Sequence, residues 1–348
     1  MDTKALRQKI LDLAIHGKLV PQDPNDEPAS VLLERIKAEK ERLIKEGKIK
    51  RSKKSAKTSD TPHYENVPFE VPSSWVWCRL DDIVSFQGGY AYKSNTYVNQ
   101  SDWQVIRIGN VKNDNLILDI QPVFVEDVIG KTTEKYLLKK DDILFTMTGT
   151  KGKRDYFYTA KVPSIKKNLL LNQRVGCLRC FSSEINIDFL CLVLKGEYVL
   201  DAIFSTETGN VSQGNIGSES TLNLNIAIPP LTEQHRIVVE IDKWFALIDQ
   251  IEQGKSDLQS TIKQTKSKIL DLAIHGKLVP QDPNDEPASE LLKRINPNFT
   301  PCDNGHYPAG WQQTCKYRNH SSKLQSVQYR RLHTCLLYTS PSPRDRSV

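Results

Sequence analysis

Residues 9–30 read KILDLAIHGKLVPQDPNDEPAS, and residues 268–289 read the same 22 letters again, an offset of 259 with no substitution. A solenoid repeats every roughly 20 to 50 residues, so a period this long marks two copies of a domain-sized module. One full module lies between the repeats. After the second copy, Ala309-Gly310-Trp311 echoes Ser73-Ser74-Trp75 as the opening of another module, and the echo then stops.

Just upstream of the second copy, Pro229-Pro230-Leu231-Thr232-Glu233-Gln234 reads as a helix start. The prolines close a strand, Thr232 is the expected N-cap, and Glu233 suits the positive end of the helix dipole. Alternate steps of four and three from Ile237 land on Ile241, Trp244, Ile248, Ile251, Lys255, Leu258, Ile262, Thr265, Ile269 and Leu272, nine of the eleven positions being apolar. A seven-residue period held this long predicts a coiled-coil seam. From Glu233 to His275 the helix spans about 65 Å. Gly276 supplies the stop, with Pro280 beyond it. Leu6, Ile10 and Leu13 repeat the registers of Thr265, Ile269 and Leu272, so the chain opens on the end of such a helix, stopped at Gly17. Pro21, Pro24 and Pro28 then forbid a helix and give a stiff, extended turn.

With 348 residues and 38% hydrophobic content, the chain can bury at least one sizeable core. It lacks an apolar run near the roughly 18 residues of a membrane span, and MDTKALRQKI does not read as a signal peptide, so the expected location is cytoplasmic with no membrane partner. Seven cysteines, an odd and scattered set, do not make a disulfide framework. Cys177 and Cys180 form one CxxC on a predicted strand and read as structural, so neither metal nor cofactor is expected.

The net charge of +6 is unevenly distributed. Residues 37–57 carry +7 and residues 316–348 carry +6, leaving −7 for the rest. The overall charge therefore says little about the folded part. Residues 31–47 read as a charged helix, and 48–61 as a Lys/Ser-rich stretch, a solvated tether in preference to a DNA-gripping arm. From 62 to 230, short apolar strands (Val105–Ile108, Ile143–Thr148, Val175–Phe181, Leu222–Ile228) alternate with Gly/Asn/Asp turns, and helices are expected near Ile187–Leu194 and Glu197–Ser205. The predicted fold is thus a mixed α/β (α+β) domain followed by a long coiled-coil-type helix.

Within that acidic remainder, residues 146–180 hold eight Lys or Arg against one Asp. The patch opens on Thr148-Gly149-Thr150-Lys151-Gly152-Lys153-Arg154, which is not a nucleotide-binding Walker loop because Arg154 stands where the magnesium-binding hydroxyl belongs. Gly, Thr and Lys after a strand suit contacts to nucleic-acid phosphates instead. Asn and Gln pair bidentately with adenine and Arg with guanine in the major groove. Asn172-Gln173-Arg174, Asn210, Gln213 and Asn215, and Gln87 with Tyr90 are accordingly the other candidates for a DNA-facing surface. Turn formation is the plainer alternative for each cluster taken singly. Catalytic and metal-binding constellations are absent from the sequence, so an enzyme is disfavoured.

FEVPSSWVWCRLDDIV (69–84), IRIGNV (106–111), KKDDILFTMTGT (139–150), LNQRVG (171–176), TGNVSQGNIG (208–217) and IPPLTEQHRIV (228–238), followed by a heptad helix, together resemble the specificity subunit of type I restriction-modification systems. The resemblance implies a target recognition domain that reads duplex DNA, paired with a second such domain by two antiparallel long helices that set the spacing of a bipartite site. It also implies separate partners: a methyltransferase (modification) subunit and a restriction/translocase subunit, which methylate, hydrolyse ATP and cut. On this reading the chain divides into the end of a conserved helix (1–18), a proline turn, charged helix and basic linker (19–61), a recognition domain (62–230), the heptad helix (231–276), the repeat linker with the start of a second recognition domain (277–311), and a non-native tail (312–348). The pattern departs from the family after Trp311, as a truncation would.

Two alternatives stay open: a coiled-coil homodimeric scaffold, and a DNA-binding protein without sequence preference. An unpartnered seam through Ile237, Ile241, Trp244, Ile248, Ile251, Leu258, Ile262, Ile269 and Leu272 would expose a long apolar stripe and favour a homodimer or poor solubility.

Overall fold

The computed structural model describes residues 2–49, 67–210, 212–280 and 282–298. The basic linker beyond Ile49, the start of a second module and the tail expected to be non-native therefore lie outside the described residues. Two compact units emerge, residues 1–252 and residues 253–348. Along the chain run helices α1 (Thr3–Ile15) and α2 (Ala29–Lys45), then strands β1 (Val76–Arg79), β2 (Val84–Gly88), β3 (Trp103–Ile106), β4 (Phe124–Val125), β5 (Ile143–Thr146), β6 (Thr148–Gly149), β7 (Thr159–Lys161), β8 (Asn168–Leu171) and β9 (Val175–Cys180). Helices α3 (Ile187–Val193) and α4 (Glu197–Phe204), strands β10 (Thr208–Asn210), β11 (Gln213–Asn215) and β12 (Asn225–Ile228), and helices α5 (Leu231–Ile274) and α6 (Ala288–Ile295) follow. Among the described residues, no helix is long and apolar enough to cross a membrane.

The first unit is organised by strands whose two faces are both covered. In β5, Ile143 and Phe145 enter the main core while Leu144 points into a second cluster with Ile106, Leu171, Val175 and Cys177. Successive strand side chains point to opposite faces, so an uninterrupted ILF run is what a doubly covered strand requires. Strand β8 does the same, with Leu169 and Leu171 on one side and Leu170 on the other beside Trp103 and Val125. The central sheet is antiparallel in the order β7-β5-β9-β2, and a second sheet pairs β8 parallel to β3, which is antiparallel to β4. Strand β1 pairs with β12, Val76 opposite Ile228, closing the two ends of the domain on each other.

Most expected elements appear within a residue or two, and the departures have local causes. Leu222 ends a short helix, Ser218–Leu222, so strand β12 begins only at Asn225. Thr232 does not cap: the long helix starts at Leu231, the Gln234 amide donates to Pro230 O at 2.9 Å, and the Thr232 hydroxyl meets the Asp26 carboxylate. Cys177 and Cys180, three apart on β9, fall on opposite faces and cannot converge on one ion; burial pushes the Cys180 thiol up to about 12.

Helix α5 is one element of 44 residues, Leu231–Ile274. The exposed stripe expected along it needs correction at its start. Ile237, Ile241 and Ile248 are each 1% exposed, because they join the core cluster that contains Ile10, Leu11 and Ala14 of α1. Arg7 of α1 lies over the Phe245 ring and bonds Asp249 at 2.5 Å. Trp244, Ile251, Leu258, Ile262 and Ile269 remain exposed, and Leu272 is half-buried.

Candidate nucleic-acid interface

The candidate residues come from four segments that are far apart in sequence, and backbone geometry brings them to one edge. Strands β2 and β5 end, and β9 begins, at the same margin of the central sheet, since β9 is antiparallel to both. The loop after β2 is tied to the turn before β9: the Tyr90 amide donates to Leu171 O at 2.9 Å and the Gln173 amide to Tyr90 O at 3.0 Å. That turn is tied to the loop after β5 by the Met147 amide, which donates to Arg174 O at 3.0 Å, and the Ile216 amide donates to Met147 O at 2.9 Å. Strand β11 then adds to β6, Asn215 opposite Thr148 and Gly214 opposite Gly149. The loops at 87–90, 172–174, 147–151 and 210–216 therefore form one contiguous row.

Glycine is needed where the first two loops meet. A Cβ on Gly89 would stand 2.2 Å from Asn172 O, closer than any side chain allows.

The side chains along the row are in different states. Tyr90, Lys151, Lys153, Gln173, Arg174, Asn210 and Gln213 are exposed, while Thr148, Gly149, Thr150, Asn172 and Asn215 are half-buried. Tyr90 packs edge-on against Tyr92 at 4.9 Å between centroids and tilted against Tyr136 at 5.4 Å, with Lys135 Nζ 4.9 Å above the Tyr136 ring. Gln87 has its amide engaged, donating to Lys135 O at 2.7 Å and accepting from Arg179 at 3.4 Å. Lys151 Nζ donates to Gly209 O at 3.0 Å. Arg154 is held by the carboxylates of Glu197 at 3.0 Å and Asp201 at 2.6 Å, against the Phe204 ring.

Sequence reading missed what fixes the loop. The Glu207 carboxylate accepts from Tyr156 Oη at 2.6 Å and from the Gly152 amide at 3.0 Å, bracing the 149–154 turn against the β10-β11 hairpin. The Asp155 carboxylate accepts from the Thr150 amide at 2.8 Å, and its bonds to Thr150 hold the carboxyl below the usual range. Glu207 sits 58 residues after Gly149 with no local pattern to announce it. Among the described residues, no group of three or more His, Cys, Asp or Glu is placed to hold a metal ion.

The chain is similar in sequence to known proteins of one family. The family described as the type I restriction modification DNA specificity domain matches residues 72–259, just over half of the chain. The chain is 32% identical over 347 residues to the type I restriction enzyme EcoEI specificity subunit of Escherichia coli, covering 84% of this chain and 54% of that protein. It is 32% identical over 345 residues to the EcoAI specificity subunit of Escherichia coli, covering 84% and 55% respectively. Against the crystal structure of the HsdS subunit from Thermoanaerobacter tengcongensis the TM-score is 0.40 at 15% identity, over 79% of this chain and 57% of that one. The chain spans about half the length of the curated relatives it matches.

Proposed function

This chain belongs to the type I restriction modification DNA specificity family, and on that premise we propose that the row of loops along the β2, β5 and β9 edge is the surface with which it reads duplex DNA. Lys151 and Lys153 supply phosphate contacts that set position, and Tyr90, Gln173, Arg174, Asn210 and Gln213 offer base-reading and stacking groups. Thr148, Gly149, Thr150, Asn172 and Asn215 shape the loops, as do Gln87 and Arg154, whose polar groups are already engaged by the protein. The chain performs no chemistry: a methyltransferase subunit and a restriction/translocase subunit act on the bipartite site to which it directs them.

The observation that supports this reading is the backbone connection of four distant loops, through Tyr90, Gln173, Met147 and Ile216, into one exposed, cation-bearing row. The test is co-expression with a modification subunit followed by mapping of methylated sites in genomic DNA. One recurring sequence in the wild type, altered in a Gln173→Ala or Arg174→Ala variant, supports the assignment; methylation that ignores both substitutions refutes it.

The exposed apolar positions of α5 support assembly as well as reading. Leu258, Ile262 and Ile269 are 45 to 60% exposed, which suits pairing with another helix, including that of a second copy.

A further inference from the structure

One segment beside the loop row carries no residue that sequence reading singled out, and the fold fixes it at several points. A short helix, Asp127–Thr132, and the 3-10 turn Glu134–Tyr136 that follows it lie between β4 and β5. Gly130 lets the helix sit on β3, where a Cβ would stand 2.2 Å from the Trp103 ring. Thr133 is buried, and its hydroxyl donates to Ile129 O at 2.7 Å and accepts from Tyr92 Oη at 3.1 Å. Beyond the turn, the Leu138 amide donates to Leu169 O at 2.8 Å. The Gln87 side chain, in β2, donates to Lys135 O at 2.7 Å, which makes Gln87 a positioning residue for Lys135 and Tyr136.

This bracing sets an aromatic group at the margin of the row. Tyr90 is 42% exposed although its ring has two aromatic neighbours, Tyr92 at 4.9 Å and Tyr136 at 5.4 Å between centroids. Both spacings lie in the ordinary range of aromatic pairs, so the ring is held in place before any ligand arrives. The Tyr90 backbone bridges to Asn172 and accepts from the Gln173 amide at 3.0 Å, which puts the ring beside the turn proposed to read bases. Lys135 is exposed, with Nζ 4.9 Å from the centre of the Tyr136 ring. Lys131 and Lys140 pair with Asp127 and Asp141, whereas among the described residues no carboxylate pairs with Lys135.

An intact duplex keeps its base faces stacked, so a ring at this edge meets base edges and backbone. On the major-groove edges of the base pairs the apolar group is the 5-methyl of thymine. We propose that the Tyr90 ring contacts a thymine 5-methyl group and that Lys135 contacts the phosphate beside it, with Tyr92 and Tyr136 holding the ring and Gln87 holding the turn. This site rests on the loop row being the duplex-reading surface, and it adds apolar recognition to a row otherwise made of amides and cations. It also assigns a task to the segment between β4 and β5, to which the sequence attached none.

A uracil scan on the full chain tests it. Bound duplexes are selected from a random-sequence pool, and each thymine of the recovered site is replaced in turn by deoxyuridine, which lacks only the methyl group. Fluorescence anisotropy should show a loss of about fourfold at one position, the value of one buried methyl group. Tyr90→Ala should erase that difference, and Tyr90→Phe, which keeps the ring, should retain it. Lys135→Ala should lower the slope of log K against log salt by about one and leave the uracil difference in place. A wild type that selects no sequence overturns the loop row and this site together. A wild type that selects one and is indifferent to every methyl group overturns this site alone, as does a uracil difference that survives Tyr90→Ala or is lost in Tyr90→Phe.

Discussion

The guanidinium of Arg179, near the end of β9, closes bidentately on the carboxylate of Asp142, just before β5, Nε to Oδ1 at 2.7 Å and the second nitrogen to Oδ2 at 2.5 Å. Asp142 is 1% exposed and also accepts from the Lys139 amide at 2.8 Å, so its charge is fully matched. The same guanidinium reaches Gln87, which links the pair to the loop after β2. Removing one member of a buried pair leaves an uncompensated charge. Asp142→Asn should lower stability by about 3 kcal/mol, tempered by the partial water contact of Arg179. Urea unfolding checks this, and an unchanged midpoint would contradict it.

Along the loop row, the substitutions should divide by kind. Lys153→Ala should weaken binding to every duplex and reduce the slope of log K against log salt by about one, as loss of one phosphate contact does. Gln173→Ala or Arg174→Ala should relax preference at one base position by about 1 to 3 kcal/mol. Arg154→Ala should do little to affinity, since its charge is engaged by Glu197 and Asp201. Fluorescence anisotropy at several salt concentrations separates the three.

Gly89→Ala should disrupt the junction with the 172–174 turn, where a Cβ meets Asn172 O. A loss of about 2 kcal/mol is expected from the forced backbone shift. Gly88→Ala is the control, because a Cβ there first meets Phe86 at 3.6 Å, ordinary contact. Equal thermal midpoints for the two variants would refute the assignment.

Glu233 gives a pH dependence of unusual sign. Burial pushes its carboxyl above the ordinary range, against the opposing bonds from Gln22 and Trp75. The folded state then holds a proton that the unfolded state releases first, so this contribution is full below the unfolded value near 4.5 and is lost as pH rises through the raised one. Asp26, held low chiefly by its bond with Arg236, contributes oppositely, losing stability as pH falls. Glu233→Gln should flatten the decline on the alkaline side of pH 4.5 and leave the acid-side loss in place, as read by denaturation at stepped pH.

Leu258→Glu with Ile262→Glu should reduce self-association in light scattering without changing the thermal midpoint of the recognition domain, because both side chains are exposed. A wild type that is monodisperse and monomeric at high concentration would remove the proposed helix pairing.

What the residues revealed in advance followed from periodicity. The heptad pattern located α5 to within two residues at each end, and ILF at 143–145 announced a buried strand. Non-local geometry was silent. Nothing in NLLL at 168–171 says that it runs parallel to WQVI at 103–106. The burial of Ile237, Ile241 and Ile248 depended on α1, whose fold-back no heptad count can show. The four loops were each picked out by composition, but their union rests on backbone bonds between distant segments, and Glu207 could be found only once the chain had folded.

The pairing of β1 with β12 sets a schedule for the growing polypeptide. Val76 must wait for Ile228 to leave the ribosome before the domain can close. Until then the apolar sides of α1 and α2 lack the floor on which they rest. Contacts so distant along the chain make folding slow and leave sticky surface open to chaperones and to neighbouring nascent chains. Polysomes carrying several copies would bring such half-finished chains together during synthesis.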